Sequence, residues 1–194
     1  MIKISNFTVP EYIQQEIESN SKYEYHDGKI YALAGGTLNH GLICGNIFSE
    51  LRSRLKDQDS KCLPLNAYIK LHIQKTNGYV YPDTMVICGK IEMATEEVNS
   101  VTNPVLIIEV LSKSTAEYDR GDKFHLYRQI PSFKEYVIID QKRYIVDVHY
   151  QPKNSDLWKI TRFAGIDKTV VFQSIDISIS MKDLYYRTNI DFPE

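Results

Sequence analysis

The chain has 194 residues, of which 43% are apolar, which is enough for one domain, or one domain with an extension, around a continuous core. This composition excludes disorder as the main state of the protein. Twenty-three basic residues against 25 acidic ones give a formal charge of −2, so no general positive field attracts nucleic acid, and any polyanion site must be local.

The cysteines and the apolar segments bear on where the protein works. Cys44, Cys62 and Cys88 stand far apart without a Cys-x-x-Cys pair, which argues against a disulfide framework or a thiolate zinc site and favours a reducing setting. The apolar stretch at residues 105–111 is much shorter than the ~20 residues of a membrane-spanning helix. Because the first residues also lack a signal-peptide pattern, we expect a cytoplasmic protein without a membrane partner.

The first third of the chain predicts a helix, a hairpin and a second helix. Thr8 is placed to cap a helix that continues to Asn20. The Asp27-Gly28 pair adopts the positive φ angles of a two-residue turn with ease and predicts a β-hairpin. Residues 37–56 carry leucine and isoleucine at three- to five-residue intervals, which predicts an amphipathic helix with one face on a sheet.

The middle of the chain predicts three strands. Residues 66–73 alternate between apolar and polar side chains, as in a half-buried strand, and residues 79–88 are expected to be its partner. Pro82 lies near the start of that partner, where a missing amide donor is tolerated. Residues 104–111 form a nearly unbroken apolar run, typical of a strand that is buried on both faces, and Glu109 is the exception in it.

The remaining elements complete an α/β pattern. Capping-box spacing at residues 114–117 predicts a helix that stops at Pro131, and residues 134–140 predict another strand. Further strands are predicted at residues 144–150, 157–163, 169–172 and 175–179, with a helical turn at 181–185. We therefore expect a single α/β domain over residues 1–194, with a central sheet covered by helices.

Glu109 is the first candidate functional residue, because an isolated buried carboxylate costs several kcal/mol and needs a cation, a partner or a proton. Asp83 is its natural neighbour if the two strands pair. Two carboxylates at about 4 Å repel by ~4 kcal/mol at an effective dielectric constant of 20, and a divalent cation would reverse that repulsion. With the backbone carbonyl of Val110 as a further oxygen ligand, magnesium or manganese is favoured over zinc.

A metal at this position predicts a reaction. Such an ion activates water, holds a phosphate oxygen and stabilises a leaving alkoxide, which together amount to hydrolysis of a phosphodiester. A nearby ammonium would complete the site. Lys113 and Lys123 are the two candidates, and packing of the helix over the strand favours Lys123.

Each of these residues also has a purely structural interpretation. Asp83 is also typical of a turn in which it bonds to local backbone. Glu109 also fits a buried ion pair with Arg120 or a lysine. Lys123 also fits a helix-surface ion pair with Asp119, worth only ~0.3 to 0.5 kcal/mol.

Several sequence blocks occur together in a fixed order along most of the chain. The blocks are Tyr23-Glu24-Tyr25-His26-Asp27-Gly28-Lys29, His40 at the start of the long helix, Tyr81-Pro82-Asp83, Ile108-Glu109-Val110-Leu111-Ser112, Tyr118-Asp119-Arg120-Gly121-Asp122-Lys123 and Glu135-Tyr136-Val137-Ile138-Ile139-Asp140. This series resembles the Uma-two family of restriction-endonuclease-like proteins, a branch of the PD-(D/E)XK nuclease superfamily.

The resemblance implies a restriction-endonuclease-like fold: a central mixed β-sheet flanked by α-helices, with a core at about residues 22–141 and additional C-terminal strands. It also implies a magnesium-dependent endonuclease that cleaves DNA to leave a 5′-phosphate and a 3′-hydroxyl. The chain has Leu111 where the superfamily motif has its lysine. The resemblance implies that in this family the lysine comes from the next helix. It therefore points to Lys123 as the group that orients the attacking water.

Two more residues receive a role through the resemblance. Glu24 resembles an extra acidic residue that superfamily members bring to the metal site, although on a strand it also fits a solvent-facing position. His40 is a candidate for substrate binding, although it also fits a cap or packing residue at the helix start.

Alternatives to this function remain open. The nuclease architecture also fits a catalytically inactive module that binds a protein or nucleic-acid partner, for which the near-neutral charge is an argument. An RNA or another phosphate ester is equally compatible with these residues. The resemblance further allows a homodimer, in which the strands between residues 144 and 179 would supply an edge or extra sheet.

Overall fold

The computed structural model describes residues 3–5, 7–33, 35–94, 99–112 and 115–190. The helices are α1 (Val9–Ser19), α2 (Leu38–Asp57), α3 (Ala116–Arg120), α4 (Asp122–Tyr127) and α5 (Met181–Leu184), with a 3₁₀ turn at Gln74–Thr76. The strands are β1 (Lys3–Ser5), β2 (Tyr23–His26), β3 (Lys29–Ala32), β4 (Cys62–Asn66), β5 (Lys70–Ile73), β6 (Gly78–Val80), β7 (Thr84–Cys88), β8 (Ser100–Val101), β9 (Leu106–Leu111), β10 (Glu135–Asp140), β11 (Ile145–Tyr150), β12 (Lys159–Ala164), β13 (Thr169–Phe172) and β14 (Ile177–Ser180).

The described strands form two six-stranded sheets and a two-stranded ribbon. The first sheet has the order β1-β3-β2-β6-β5-β8, the second has the order β12-β11-β10-β9-β7-β4, and β13 pairs with β14. Both large sheets are mixed, because β5 runs parallel to β8 and β9 runs parallel to β10, while their other neighbours are antiparallel. The expected α/β fold with mixed sheets and flanking helices is confirmed, with the strands divided between two sheets instead of one.

Local signals in the sequence account for several elements. Thr8 caps α1 in a capping box with Glu11, and Asn20 ends the helix in the left-handed conformation. Asp27 and Gly28 both have positive φ, 47° and 75°, and join β2 to β3 as the hairpin prediction requires. The elements predicted for residues 8–33 are therefore confirmed.

The predictions of one strand over residues 66–73 and one over 79–88 are wrong. The first segment is divided by a turn in which Asn66 accepts the N–H of Tyr68, so β4 and β5 join different sheets. The second is divided at residues 81–83, where Pro82 has no N–H for a ladder, so β6 and β7 also join different sheets. This crossing from one sheet to the other places Asp83 between them.

The helix predicted to end at Pro131 is also divided. Gly121, with φ of −119° and ψ of −90°, separates α3 from α4, and its N–H donates to the carbonyl of Glu117. Lys113 and Ser114, which belong to the predicted capping box and the candidate ammonium set, lie outside the described residues.

The two faces of β9 meet different layers, which decides where Glu109 points. Leu106, Ile108 and Val110 pack in a core with α2, α5, β13 and β14. Ile107 and Leu111 pack on the opposite side, in a core that includes residues of β5, β6 and α4. Because side chains alternate along a strand, Glu109 faces the first sheet and α4.

The expectation from the cysteines is corrected at one point. Cys62 and Cys88 are directly opposite each other in the antiparallel pair of β4 and β7 and form a disulfide. The disulfide could not be predicted from their spacing in the sequence, because only the register of β4 against β7 brings the two cysteines together. Within the described ranges, no helix has both the length and the apolar character needed to cross a membrane.

Candidate active site

Asp83 and Glu109 come together because β7 and β9 are antiparallel neighbours, with Thr84 opposite Ile108. The N–H of Val110 donates to Oδ2 of Asp83 at 2.8 Å. The N–H of Asp83 donates to Oε2 of Glu109 at 3.4 Å. The two acids that the sequence singled out therefore lie side by side, held by the backbone of each other's strand.

Lys123 connects these acids to the first sheet. Its Nζ lies 2.9 Å from Oε1 of Glu109 and 3.1 Å from Oε1 of Glu24, which is on β2. A third acid, Asp119, has its Oδ1 3.6 Å from the same ammonium. The Lys123 side chain is only 7% exposed, so these contacts are not a solvated surface ion pair.

The protonation of this cluster depends on burial and on the neighbouring charges. Burial raises the pKa of Glu109 to about 8, against the opposing effect of Lys123 and with a further contribution from Asp83. Burial acts in the same direction on Glu24, but the charge of Lys123 and a hydrogen bond from His26 lower its pKa to about 2. The two glutamates that share one ammonium therefore have widely separated pKa values.

Lys123 remains protonated in this environment. Burial alone would lower the pKa of its ammonium, but the charges of Glu109 and Glu24 raise that pKa well above the ordinary value. The group is therefore a hydrogen-bond donor and a fixed positive charge.

His40 lies in the first turn of α2, which Thr37 caps, and reaches Asp83. Its Nε2 is 3.3 Å from Oδ2 of Asp83. The hydrogen bond to Asp83 raises the pKa of His40, burial opposes this, and a hydrogen bond to the Val110 backbone raises it further. Gly36 lies against the imidazole, since a Cβ at that position would be 2.8 Å from Nδ1 of His40.

Several residues at the site were not among the predicted site residues. Tyr127 donates a 2.6 Å hydrogen bond from its hydroxyl to Oε1 of Glu109. Asp119, expected only as a possible surface partner of Lys123, is 2% exposed. Tyr118 bonds to Nε2 of His26 at 2.8 Å. Both Tyr118 and Asp119 lie in one of the sequence blocks of the family resemblance, which was the available signal.

The proposed alternative partner of Glu109 is engaged elsewhere. Nη1 of Arg120 lies 3.2 Å from Oδ2 of Asp147 on β11. Glu109 does have an ion-pair partner, but that partner is Lys123. The structure thus brings together Glu24, His40, Asp83, Glu109 and Lys123.

These side chains line one cavity of about 450 Å³ between the two sheets. Asp83, Glu109 and Val110 contribute oxygen-bearing groups to its wall, and Lys22 and Ser112 line it as well. Oxygen ligands of this kind suit a hard divalent cation. The cavity thus combines a candidate metal centre with the ammonium of Lys123.

Two proteins of Synechocystis sp., both described as uncharacterized, are similar to this chain. One is 35% identical over 170 residues, which are 88% of this chain and 94% of the relative. The other is 33% identical over 177 residues, which are 91% of this chain and 90% of the relative.

A solved structure shares the fold. The crystal structure of a putative nuclease belonging to DUF820 from Anabaena variabilis has a TM-score of 0.67 and 19% sequence identity, and the match covers 90% of this chain and 97% of that one. The model of the family described as "Uma2: Putative restriction endonuclease" matches residues 9–181. Because this match covers most of the sequence, the chain belongs to the Uma2 family of putative restriction endonucleases.

Proposed function

We propose that the protein is a metal-dependent endonuclease that hydrolyses phosphodiester bonds in DNA. The observation that carries this proposal is the convergence of Asp83, Glu109 and Lys123, from three separate segments of the chain, in one cavity. Glu24 adds a further carboxylate to the same ammonium.

The residues of the cavity fit a magnesium or manganese ion. The carboxyl groups of Glu24, Glu109 and Asp119 lie within 3.6 Å of the ammonium of Lys123, and Asp83 lines the same cavity, so acidic groups outnumber this cation. A carboxylate offers several lone pairs, and the hydrogen bonds to Asp83 and Glu109 leave capacity for a cation. Asp83, Glu109 and the carbonyl of Val110 would hold the ion.

Such an ion supplies Lewis-acid polarisation of a phosphoryl oxygen and a water of lowered pKa. Lys123 stays protonated, so its role is to donate hydrogen bonds that orient the attacking water, and it does not take a proton. Glu24 remains ionised with a pKa of about 2 and fixes the direction of the Lys123 ammonium from 3.1 Å. His40 would donate to a phosphate oxygen of the bound substrate from beside Asp83.

The test is nicking of supercoiled plasmid with millimolar magnesium. Wild-type protein is expected to nick the plasmid, and EDTA should stop the reaction. Asp83→Asn should slow nicking by at least ~100-fold, since even residues that only support a metal ligand contribute 10- to 100-fold. Asp167→Asn is the matched control, because the Asp167 side chain is 84% exposed.

Equal nicking rates in wild type and Asp83→Asn would remove Asp83 from the mechanism. The inactive binding module is tested by heating the protein with and without magnesium, because a bound ion stabilises the folded state by RT ln(1 + [L]/Kd). No nicking together with no magnesium-dependent shift in Tm would contradict the proposed function and favour the module. A matched RNA oligonucleotide tests the choice of DNA.

A further inference from the structure

The face of α2 that meets Asp83 carries a nitrogen and a sulfur ligand, whereas the proposed magnesium site has only oxygen ligands. His40 and Cys44 are four residues apart on this helix, so their side chains lie on the same face. Sγ of Cys44 is 3.5 Å from Nδ1 of His40, and Nε2 of His40 is 3.3 Å from Oδ2 of Asp83. A nitrogen, a sulfur and an oxygen ligand atom of these residues all lie within 4.8 Å of one another.

This set of atoms suits zinc better than magnesium. Zinc takes cysteine sulfur, histidine nitrogen and carboxylate oxygen in a tetrahedron, whereas magnesium avoids sulfur. Zinc bond lengths of about 2.0 to 2.3 Å place neighbouring ligand atoms roughly 3.3 to 3.6 Å apart. The two contacts are of this size, but they use different nitrogens of His40. Ligand atoms that lie up to 4.8 Å apart must therefore come closer by roughly 1 Å to bind one zinc ion.

We propose that His40, Cys44 and Asp83 form a zinc site and that zinc bound there inhibits the enzyme. Three protein ligands leave the fourth position of a tetrahedral ion open. Both His40 and Asp83 line the cavity, so this position is reached from the cavity. The inhibitory half of the proposal rests on the proposed function, because it requires Asp83 to serve the magnesium ion.

Zinc and magnesium would compete, because both proposed sites use the carboxylate of Asp83. A carboxylate that is drawn toward Cys44 and His40 by zinc is withdrawn from the ion that Glu109 and Val110 would hold. The thiol of Cys44 loses its proton to solvent when zinc binds. The site therefore predicts that free zinc sets the fraction of active enzyme.

The decisive experiment titrates metal-free protein with cobalt(II), a spectroscopic substitute for zinc, and needs no activity. Wild type is expected to develop a sulfur-to-cobalt charge-transfer band and the intense visible bands of tetrahedral cobalt, and zinc should remove them. Cys44→Ser should lose the charge-transfer band, and both Cys44→Ser and His40→Gln should weaken zinc binding by about 10- to 100-fold or more.

Cys62 and Cys88 provide the matched control. They form a disulfide on β4 and β7, so the double variant Cys62→Ser/Cys88→Ser should keep the charge-transfer band. Absence of this band in the wild type, or its survival in Cys44→Ser, would overturn the zinc site.

Inhibition is measured separately, as the ratio of plasmid nicking with and without added zinc at fixed magnesium. Wild type should be inhibited at zinc concentrations that have much less effect on Cys44→Ser. Equal inhibition of the two proteins, or stimulation of wild type by zinc, would overturn the inhibitory role. If cobalt binds as expected and no variant nicks DNA under any condition, the proposed endonuclease fails while the zinc site stands.

Discussion

Nζ of Lys123 lies 2.9 Å from Oε1 of Glu109, although the two residues belong to a helix and a strand that are separate in sequence. The residue two positions after Glu109 is Leu111, which is buried among apolar side chains on the same side of β9. The ammonium of Lys123 on α4 thus lies beside Glu109, and no lysine is needed at position 111 to place a positive charge there. The relationship depends on α4 packing over β9 and not on the spacing of residues along the strand.

Replacing Lys123 with Met is expected to destabilise the protein by about 3 to 5 kcal/mol, because it leaves Glu24 and Glu109 buried without their cation. Chemical denaturation at neutral pH measures this change. Lys182→Met is the control, since Lys182 is 69% exposed and its partner Asp167 is exposed as well. That surface pair should contribute no more than about 1 kcal/mol. Similar losses in both variants would contradict the structural role of the buried ammonium.

The parts of the fold that could be predicted from sequence are those that local chemistry determines. Thr8 with Glu11 begins α1, and Asp27 with Gly28 turns the hairpin, because each signal acts over a few neighbouring residues. The burial of β9 could be predicted as well, because an apolar run interrupted only by Glu109 is typical of a strand that is buried on both faces.

The division into two sheets could not be predicted from the same kind of signal. Residues 79–88 have the composition of one strand, and only the tertiary structure shows that the chain leaves one sheet at Tyr81 and enters another at Thr84. The Cys62–Cys88 disulfide was missed for a related reason, because strand register is a long-range property.

The candidate site was partly predictable for a physical reason. Glu109 drew attention as a charge in an apolar strand, and pairing of β7 with β9 then made Asp83 its neighbour. Tyr127 gave no comparable signal, because an aromatic residue on a helix face is ordinary core material. Its contact with Glu109 depends on how α4 packs.

Tyr127→Phe should cost about 1.5 to 3 kcal/mol of stability, since the hydroxyl donates a 2.6 Å hydrogen bond to the buried carboxyl group of Glu109. The ring remains to fill the core, so the change isolates the hydroxyl. The free energy of unfolding measures the cost, and Tyr186→Phe is the control because Tyr186 is 59% exposed. A cost for Tyr127→Phe as small as the ~0.5 kcal/mol expected of a surface change would contradict this contact.

Asp147 should make stability depend on pH in the acid range. Burial alone would raise its pKa, but hydrogen bonds and charges from Arg162 and Arg120 lower the pKa below the ordinary value. The folded state therefore favours the ionised carboxylate. Its stabilising effect is present above the unfolded pKa of about 3.9 and is lost as the pH falls through the lower folded pKa.

Asp147→Asn is accordingly expected to lose about 1 to 2 kcal/mol at pH 7, where the carboxylate accepts charged hydrogen bonds. The difference between variant and wild type should shrink below about pH 4. Urea denaturation at several pH values measures both effects. Asp167→Asn should show neither, because its side chain is 84% exposed. A difference that stays constant from neutral to acid pH would show that the charge of Asp147 is not the cause.

Lys22 is expected to contribute to binding of the proposed DNA substrate. It lines the same cavity as the catalytic candidates. Its Nζ donates a hydrogen bond of 2.7 Å to the carbonyl of Ala67. The same atom lies 3.9 Å from the ring centroid of Tyr68, a residue that is 79% exposed. These contacts hold a positive charge beside an accessible aromatic face, where it can contact a phosphate. Lys22→Gln should therefore weaken binding of DNA of any sequence.

Fluorescence anisotropy with a labelled oligonucleotide, without magnesium and at several salt concentrations, measures this effect. Loss of one phosphate contact should reduce the slope of log K against log salt by about 0.7 to 0.9, because fewer counterions are released on binding. Lys153→Gln is the control, as Lys153 is exposed and is not among the residues that line the cavity. An unchanged salt slope for Lys22→Gln, or an equal decrease for Lys153→Gln, would show that Lys22 makes no specific contact with a DNA phosphate.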